Sequence, residues 1–161
     1  LKEDLPSNLG EFRIALGKVE TMVEGDDITI VTYGSMVRMC VEVAKQLNEV
    51  GISAEVIDAQ TLLPFDIGQE IVESVKKTNR VLFVDEDVPG GASAYMMQEV
   101  LEKQGGYVHL DSAPATLSAK AHRPAYASDG DYFSKPSHDD IFEKIYSIMG
   151  ETDPERFPEL Y

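Results

Sequence analysis

The sequence predicts an α/β domain of three layers (α/β/α), with helices on both faces of a mostly parallel five-stranded sheet. The run Val81-Leu82-Phe83-Val84-Asp85-Glu86-Asp87 passes from four apolar residues into three acids, then into the Pro89-Gly90-Gly91 turn and a helical pattern. A short apolar run bounded by turn signals is a strand buried on both faces. Acids at its carboxyl end lie where open α/β sheets expose their loops. Residues 54–66 repeat the progression, from Ala54-Glu55-Val56-Ile57 through Asp58 to a helix start at Asp66. Alternation of this kind gives a parallel sheet covered on both sides.

From the amino terminus, residues 12–18 alternate weakly and are expected to form a first, antiparallel edge strand. Glu24-Gly25-Asp26-Asp27 is a turn, and residues 28–33 are a central strand. Gly34-Ser35 opens a helix whose apolar stripe is Met36, Cys40, Val43, Ala44, Leu47 and Val50, closed by Gly51. Asp66 is expected to cap the next helix with Gln69 as capping-box partner. That helix would turn Ile67, Ile71 and Val75 inward and place Lys76 and Lys77 at the negative end of its dipole. Residues 95–104 form a third helix, stopped by Gly105-Gly106. Residues 107–110 and 115–117 are strand candidates. Ser137 caps a last helix with Ile141, Phe142, Ile145, Tyr146 and Met149 inward, ending at Gly150.

A length of 161 residues and 43% apolar content suit one domain. The expected division is a linker at 1–11, a domain at 12–150 and an acidic extended tail at 151–161. Leu1 stands where Met would begin a chain, and the linker-like opening suggests part of something longer. The lone Cys40 excludes a disulfide framework and fits a reducing cytoplasm. No run approaches the ~18 apolar residues of a membrane span. A net charge of −15 argues against nucleic acid and anionic membrane. That charge serves either solubility or docking of a basic partner. Between Pro136 and Tyr161 seven acids face only Lys144 and Arg156, which makes this end the candidate docking region.

Cys40 lies on a buried stripe and reads as a structural thiol. His109, His122 and His138 lack metal-ligand spacing. His109 suits a strand, and His138 occupies the first turn of a helix. His122 and Arg123 stand in a polar, loop-like stretch and are candidate ligand or partner contacts. Gly34-Ser35 lacks the spaced glycines of a dinucleotide loop and the Gly-Lys-Ser/Thr of a phosphate loop. Gly90-Gly91 is a turn, or a point where a neighbouring chain comes close. Asp58, Asp85, Glu86 and Asp87 could hold Mg²⁺ through oxygen ligands, as in receiver domains. That fold needs an acidic pair where this chain has Tyr33-Gly34-Ser35, and Lys120 only loosely matches its lysine. A free-standing receiver-like or regulatory domain is therefore the alternative reading. No acyl-transfer triad, metal cage or phosphate cradle emerges.

Several segments together carry a family resemblance. They are Leu16-Gly17-Lys18 with Glu24-Gly25-Asp26-Asp27-Ile28-Thr29-Ile30-Val31, Tyr33-Gly34-Ser35, and Glu55-Val56-Ile57-Asp58 with Thr61-Leu62-Leu63-Pro64-Phe65-Asp66. Lys77-Thr78-Asn79-Arg80 leading to Asp85-Glu86, with Gly90-Gly91 beyond, completes the set. Their order resembles the C-terminal domain of the transketolase family. Within it they are most similar to the beta subunit, or beta-like half of a fused chain, of the decarboxylating component of 2-oxo acid dehydrogenase complexes. Leu110-Asp111-Ser112-Ala113-Pro114 resembles the family's Leu-Glu-Ala-Pro with one residue inserted. Residues 121–136 depart from its short Asp-x-Pro loop.

The resemblance implies a parent enzyme that decarboxylates a branched-chain 2-oxo acid or pyruvate and passes the acyl group to lipoyl. It implies thiamine diphosphate and Mg²⁺ bound by preceding domains, with no catalytic, cofactor or metal residue on this chain. The implied partners are those thiamine-binding domains or an alpha subunit, a second copy in a homodimer, and the lipoyl acyltransferase of a multienzyme complex. Asp111 is carried over as a docking residue, and the charge pattern adds Asp139 and Asp140.

Overall fold

β2 (Ile28–Thr32), β3 (Ala54–Asp58) and β4 (Val81–Val84) are parallel neighbours at the centre of one sheet. The computed structural model describes residues 7–11, 13–123 and 126–160, without the side chains of 128, 129 and 131. Residues 1–6 of the expected linker, Phe12 and Tyr161 therefore lie outside the described residues. The strand order is β1-β3-β2-β4-β5, with β1 (Glu20–Val23) antiparallel to β3 and β5 (Ala115–Leu117) parallel to β4. β1 and β5 are the edges.

Alternation along the central strands builds two cores. Ile28, Ile30, Val56, Leu82 and Val84 face α1 (Ser35–Glu49) and α5 (His138–Thr152). Val31, Ile57, Val81 and Phe83 face α2 (Glu70–Thr78) and α3 (Ala92–Met97), which continues as a π-helix, Gln98–Lys103. Thr29, also on the α2 side, is buried yet satisfied, its hydroxyl 2.6 Å from Ser74 Oγ and 2.7 Å from Thr78 Oγ1. Cys40 is in the first core, where burial pushes its thiol up to about 12, so it stays protonated and inert.

Several sequence expectations are corrected. The edge strand expected at 12–18 is absent from 13–18 and lies at Glu20–Val23. Gly17 turns there at φ 76°, its N–H donating to Thr61 Oγ1 at 2.8 Å and its carbonyl accepting from Ile67 N–H at 2.9 Å. With those groups engaged by a loop, no ladder can form. Val50 is half-exposed because α1 ends one residue earlier. α2 begins at Glu70 rather than after Asp66, since Asp66 and Gln69 both take positive φ. Asp66 still serves the helix, accepting from the N–H groups of Glu70 and Ile71 at 2.8 and 3.1 Å, whereas Gln69 makes no capping box. The same bend turns Ile67 outward, 68% exposed.

Residues 107–110 are not a strand: Gly106–His109 is a 3-10 turn. Asn79 explains this, its side-chain amide donating to the His109 carbonyl at 2.8 Å and its own carbonyl accepting from Asp111 N–H at 3.0 Å. These bonds take the backbone groups a strand would offer a neighbour. α4 (Ser128–Ser134) occupies part of the 121–136 stretch. α5 passes through Gly150 to Thr152, with Ser137 and Asp140 forming its capping box. The tail is not extended throughout. It turns at 154–157 and sends Phe157 back into the first core, 4% exposed. Gly150 permits the return, because a Cβ there would stand 2.8 Å from the Phe157 carbonyl oxygen.

Gly25 is the tightest point of the sheet. A Cβ would meet the Ala54 carbonyl carbon and the Glu55 nitrogen, each at 2.3 Å. Its N–H also donates to the buried Glu55 carboxylate, which Lys77 binds from the other side. Gly25→Ala should therefore cost about 3 kcal/mol, since backbone cannot yield as a side-chain tip can. Urea denaturation is the check, and a loss below ~0.5 kcal/mol would contradict the packing.

Candidate functional site

In an open α/β sheet, ligands bind beyond the carboxyl ends of the strands where the winding direction reverses. Here the reversal lies between β2 and β4: the chain passes from β2 to β3 on one side and crosses back to β4 on the other. Tyr33-Gly34-Ser35 and Asp85-Glu86-Asp87 line this crevice, and its polar groups already hold one another. Asp85, fully buried, accepts from Tyr33 Oη at 2.8 Å and from the N–H groups of Asp87 and Ser93 at 3.0 and 3.1 Å. Burial, and then the bond to Asp85, push the Tyr33 phenol well above its usual value. Lys135 donates to Glu86 at 2.9 Å and holds that carboxyl below its ordinary range. The Asp87 carboxylate accepts from Val88 N–H at 2.8 Å.

The sequence suggested these acids as possible Mg²⁺ ligands. The structure instead spends them on loop geometry. Asp58 is likewise bound to Gln60 N–H at 2.9 Å, and burial raises its carboxyl above the usual value. Among the described residues no three His, Cys, Asp or Glu side chains converge on a common point. Lys120 lies over the Phe133 ring, 3.7 Å from its centroid, rather than among the acids as a receiver lysine would. Gly34 caps α1 without a side-chain bond. Among the described residues the crevice acids Asp85 and Glu86 are engaged by Tyr33 and Lys135, so no catalytic step through thiamine diphosphate or Mg²⁺ is derived on this chain.

The candidate partner residues are scattered. Asp111 is in the loop before β5, its carboxylate 2.8 Å from the Arg80 guanidinium. Arg80 is only 16% exposed and also donates to the Asp27 carbonyl at 3.2 Å, so it ties three loops together at the amino-end edge of the sheet. The sequence offered Asp111 only as a docking residue, and nothing local in it signals this pair with Arg80, thirty-one residues away. Asp111→Lys should then cost about 1–2 kcal/mol, less than a fully buried pair because Asp111 is half-exposed. Thermal denaturation checks this, with Asp111→Asn expected to lose less.

Asp140 is engaged in the α5 cap, while Asp139 is exposed in the first turn of the same helix. His138 shares that turn and meets Glu42 of α1 at 2.9 Å. His122 is exposed, its ring 5.7 Å from Phe133 and its Nδ1 2.9 Å from the Arg123 carbonyl oxygen. Arg123 donates to Tyr126 Oη at 2.7 Å. Pro124, next to this pair, lies outside the described residues.

Two apolar surfaces stand out. Leu16, Leu63 and Ile67 are 71%, 82% and 68% exposed, and Ile67 and Pro64 pack beside Gly17, next to Leu16 in the chain. A groove of about 1050 Å³ runs beside the β5 edge, lined by Gly90, Gly91, Tyr95, Met97, Leu101 and Pro114 among others. Clustered exposed apolar groups of this size mark contact surfaces.

Comparison with known proteins gives the same picture. The family described as "Transketolase, C-terminal domain" matches residues 17–135. The pyruvate dehydrogenase E1 component subunit beta of Bacillus subtilis is 32% identical over 149 residues, 92% of this chain and 44% of that protein. The 2-oxoisovalerate dehydrogenase subunit beta of the same organism is 38% identical over 100 residues, 62% of this chain and 29% of the relative. The chain thus spans less than half the length of these relatives. Among solved structures, a split-gene transketolase described as an inactive beta4 tetramer superposes with TM-score 0.69 at 24% identity, over 86% of this chain and 43% of that one. At that identity the match speaks for the fold alone. With that family model covering residues 17–135, this chain belongs to the transketolase C-terminal domain family.

Proposed function

We propose that this chain is the C-terminal assembly and docking domain of a thiamine-diphosphate-dependent 2-oxo acid dehydrogenase. The parent would oxidatively decarboxylate pyruvate or a branched-chain 2-oxo acid and transfer the acyl group to lipoyl, in the cytoplasm. The observation that carries this reading is the match to E1 beta subunits over 92% of the chain, beside a crevice in which Asp85 and Glu86 are held by Tyr33 and Lys135. Chemistry is then the task of preceding thiamine-binding domains or an alpha subunit. The Leu16–Leu63–Ile67 surface suits contact with those domains, and the β5-edge groove suits the twofold of a homodimer. The domain would occupy 12–150, with the tail contributing through Phe157.

Docking of a basic acyltransferase domain on this acidic surface would be steered by charge and weakened by salt. Since Asp111 is engaged by Arg80 and Asp140 by the cap, Asp139 is the cleaner probe. Asp139→Lys in the assembled parent should weaken acyltransferase binding several-fold at low salt without loss of fold. Titration calorimetry of this chain with thiamine diphosphate and Mg²⁺ should give no heat of binding. Micromolar affinity there would place the cofactor site on this chain and overturn the assignment.

A further inference from the structure

We propose that the surface built by Lys120, His122, Arg123, Tyr126, Tyr132 and Phe133 docks a short acidic segment of a partner protein, one that carries an aromatic side chain among its carboxylates. Among the described residues these groups are linked by contacts. Lys120 Nζ lies 3.7 Å from the centroid of the Phe133 ring, and the His122 ring is 5.7 Å from the same ring. His122 Nδ1 meets the Arg123 carbonyl oxygen, and the Arg123 guanidinium donates to Tyr126 Oη. Yet the rings are not covered: Tyr126, Tyr132 and Phe133 are 85%, 69% and 61% exposed. Lys120, His122 and Arg123 are exposed as well. The Lys120 N–H donates to the Ser134 carbonyl at 2.9 Å, which fastens the segment after β5 to the end of α4.

Aromatic groups left clustered on a surface mark a contact site, and aromatic side chains with arginine are the groups enriched in protein interfaces. The cations set the sign of the partner. Lys120 faces a ring and Arg123 a phenol, so among the described residues neither is neutralised by a carboxylate. In a chain of net −15, residues 118–135 hold Lys120, Arg123 and Lys135 against Asp129 and Asp131. An incoming carboxylate is attracted by Lys120 and Arg123 while its aromatic neighbour stacks on the exposed rings. A nucleic acid is a poor occupant, because its phosphates would run past the patch onto acidic surface, whereas a short segment stays within it. A second copy is also poor, since it brings a further −15. The proposal does not rest on the parent's reaction, and its partner is opposite in sign to the basic domain that Asp139 would meet.

Fluorescence anisotropy on the complete protein tests this, with a labelled Glu-Asp-Phe repeat peptide as probe. Binding is expected at low salt, weakening about tenfold on passing to physiological salt as exposed charges are screened. The Lys120→Glu/Arg123→Glu double variant should lower affinity by about tenfold or more, and Tyr132→Ser several-fold. Lys45→Glu, a charge change of the same sign on α1, should leave it unchanged. All of these positions are exposed, so circular dichroism should show the fold retained. The same peptide with Lys in place of its acids should not bind. No binding of the acidic peptide at low salt, equal affinity for the charge-reversed peptide, or a loss as large in Lys45→Glu as in the double variant would overturn the proposal. A single-stranded oligonucleotide binding more tightly than the peptide would overturn it in favour of nucleic acid. Sedimentation showing self-association abolished by the double variant would overturn it in favour of a second copy.

Discussion

Phe157→Ala is expected to destabilise the domain by about 3–5 kcal/mol, the range for emptying a buried phenylalanine site. The residue lies in a stretch that reads as a polar, proline-punctuated tail, yet its side chain is 4% exposed and packed with Ile141, Ile145, Ile148 and Met149 in the core beneath α1 and α5. Truncation removes the edge-to-face contact with Tyr146 and leaves a cavity that the sheet cannot collapse to fill. It also frees Arg156, whose guanidinium stacks over the ring at 4.9 Å while bonding to the Gly51 carbonyl. Equilibrium urea unfolding of the variant, compared with an exposed control such as Glu155→Ala, measures the difference. A loss no larger than the control's would mean that the tail does not belong to the core.

The second large effect is expected at Asp85. Asp85→Ala removes a fully buried acceptor and strands three donors: the Tyr33 hydroxyl and the N–H groups of Asp87 and Ser93. Each unpaired buried donor costs about 1–3 kcal/mol, so a total of ~3–5 kcal/mol is expected even after some water enters. Tyr33→Phe removes one bond and should cost about 1 kcal/mol. Asp85→Asn should fall between them, since its amide must turn one N–H group toward other donors. Thermal denaturation with and without millimolar Mg²⁺ adds a functional readout. With its carboxylates already bonded, the protein should melt at the same temperature in both. A rise in Tm that vanishes in Asp85→Ala would restore the metal-site reading, because a ligand bound only to the native state must stabilise it.

The central strands, α1 and the last helix were legible because each is a local pattern. Four-residue apolar runs such as 81–84, a 3.6-residue stripe from Met36 to Leu47, and a Ser137–Asp140 cap all act within a few residues of one another. Within the candidate site, the position of the acids at the strand ends was legible too, but their roles were not. Asp85 reads as a free carboxylate until Tyr33, fifty-two residues away, is brought to it. Asp111 reads as a surface acid until Arg80 is seen beneath it.

By itself the sequence determined the layer architecture, the order of the main elements, the family and the inert character of Cys40. Hydrophobic periodicity and turn chemistry are short-range, and a chain that alternates strand and helix has few ways to bury both sheet faces. Tertiary structure alone decided which weak segment became the edge strand, where α2 begins, and that the tail returns to the core. Those outcomes depend on where backbone groups find partners across thirty to fifty residues: Gly17 on Thr61 and Ile67 rather than in a ladder, and Asn79 on the turn before Asp111. Buried backbone groups must be paired, and the partner that meets this requirement is fixed by the assembled fold.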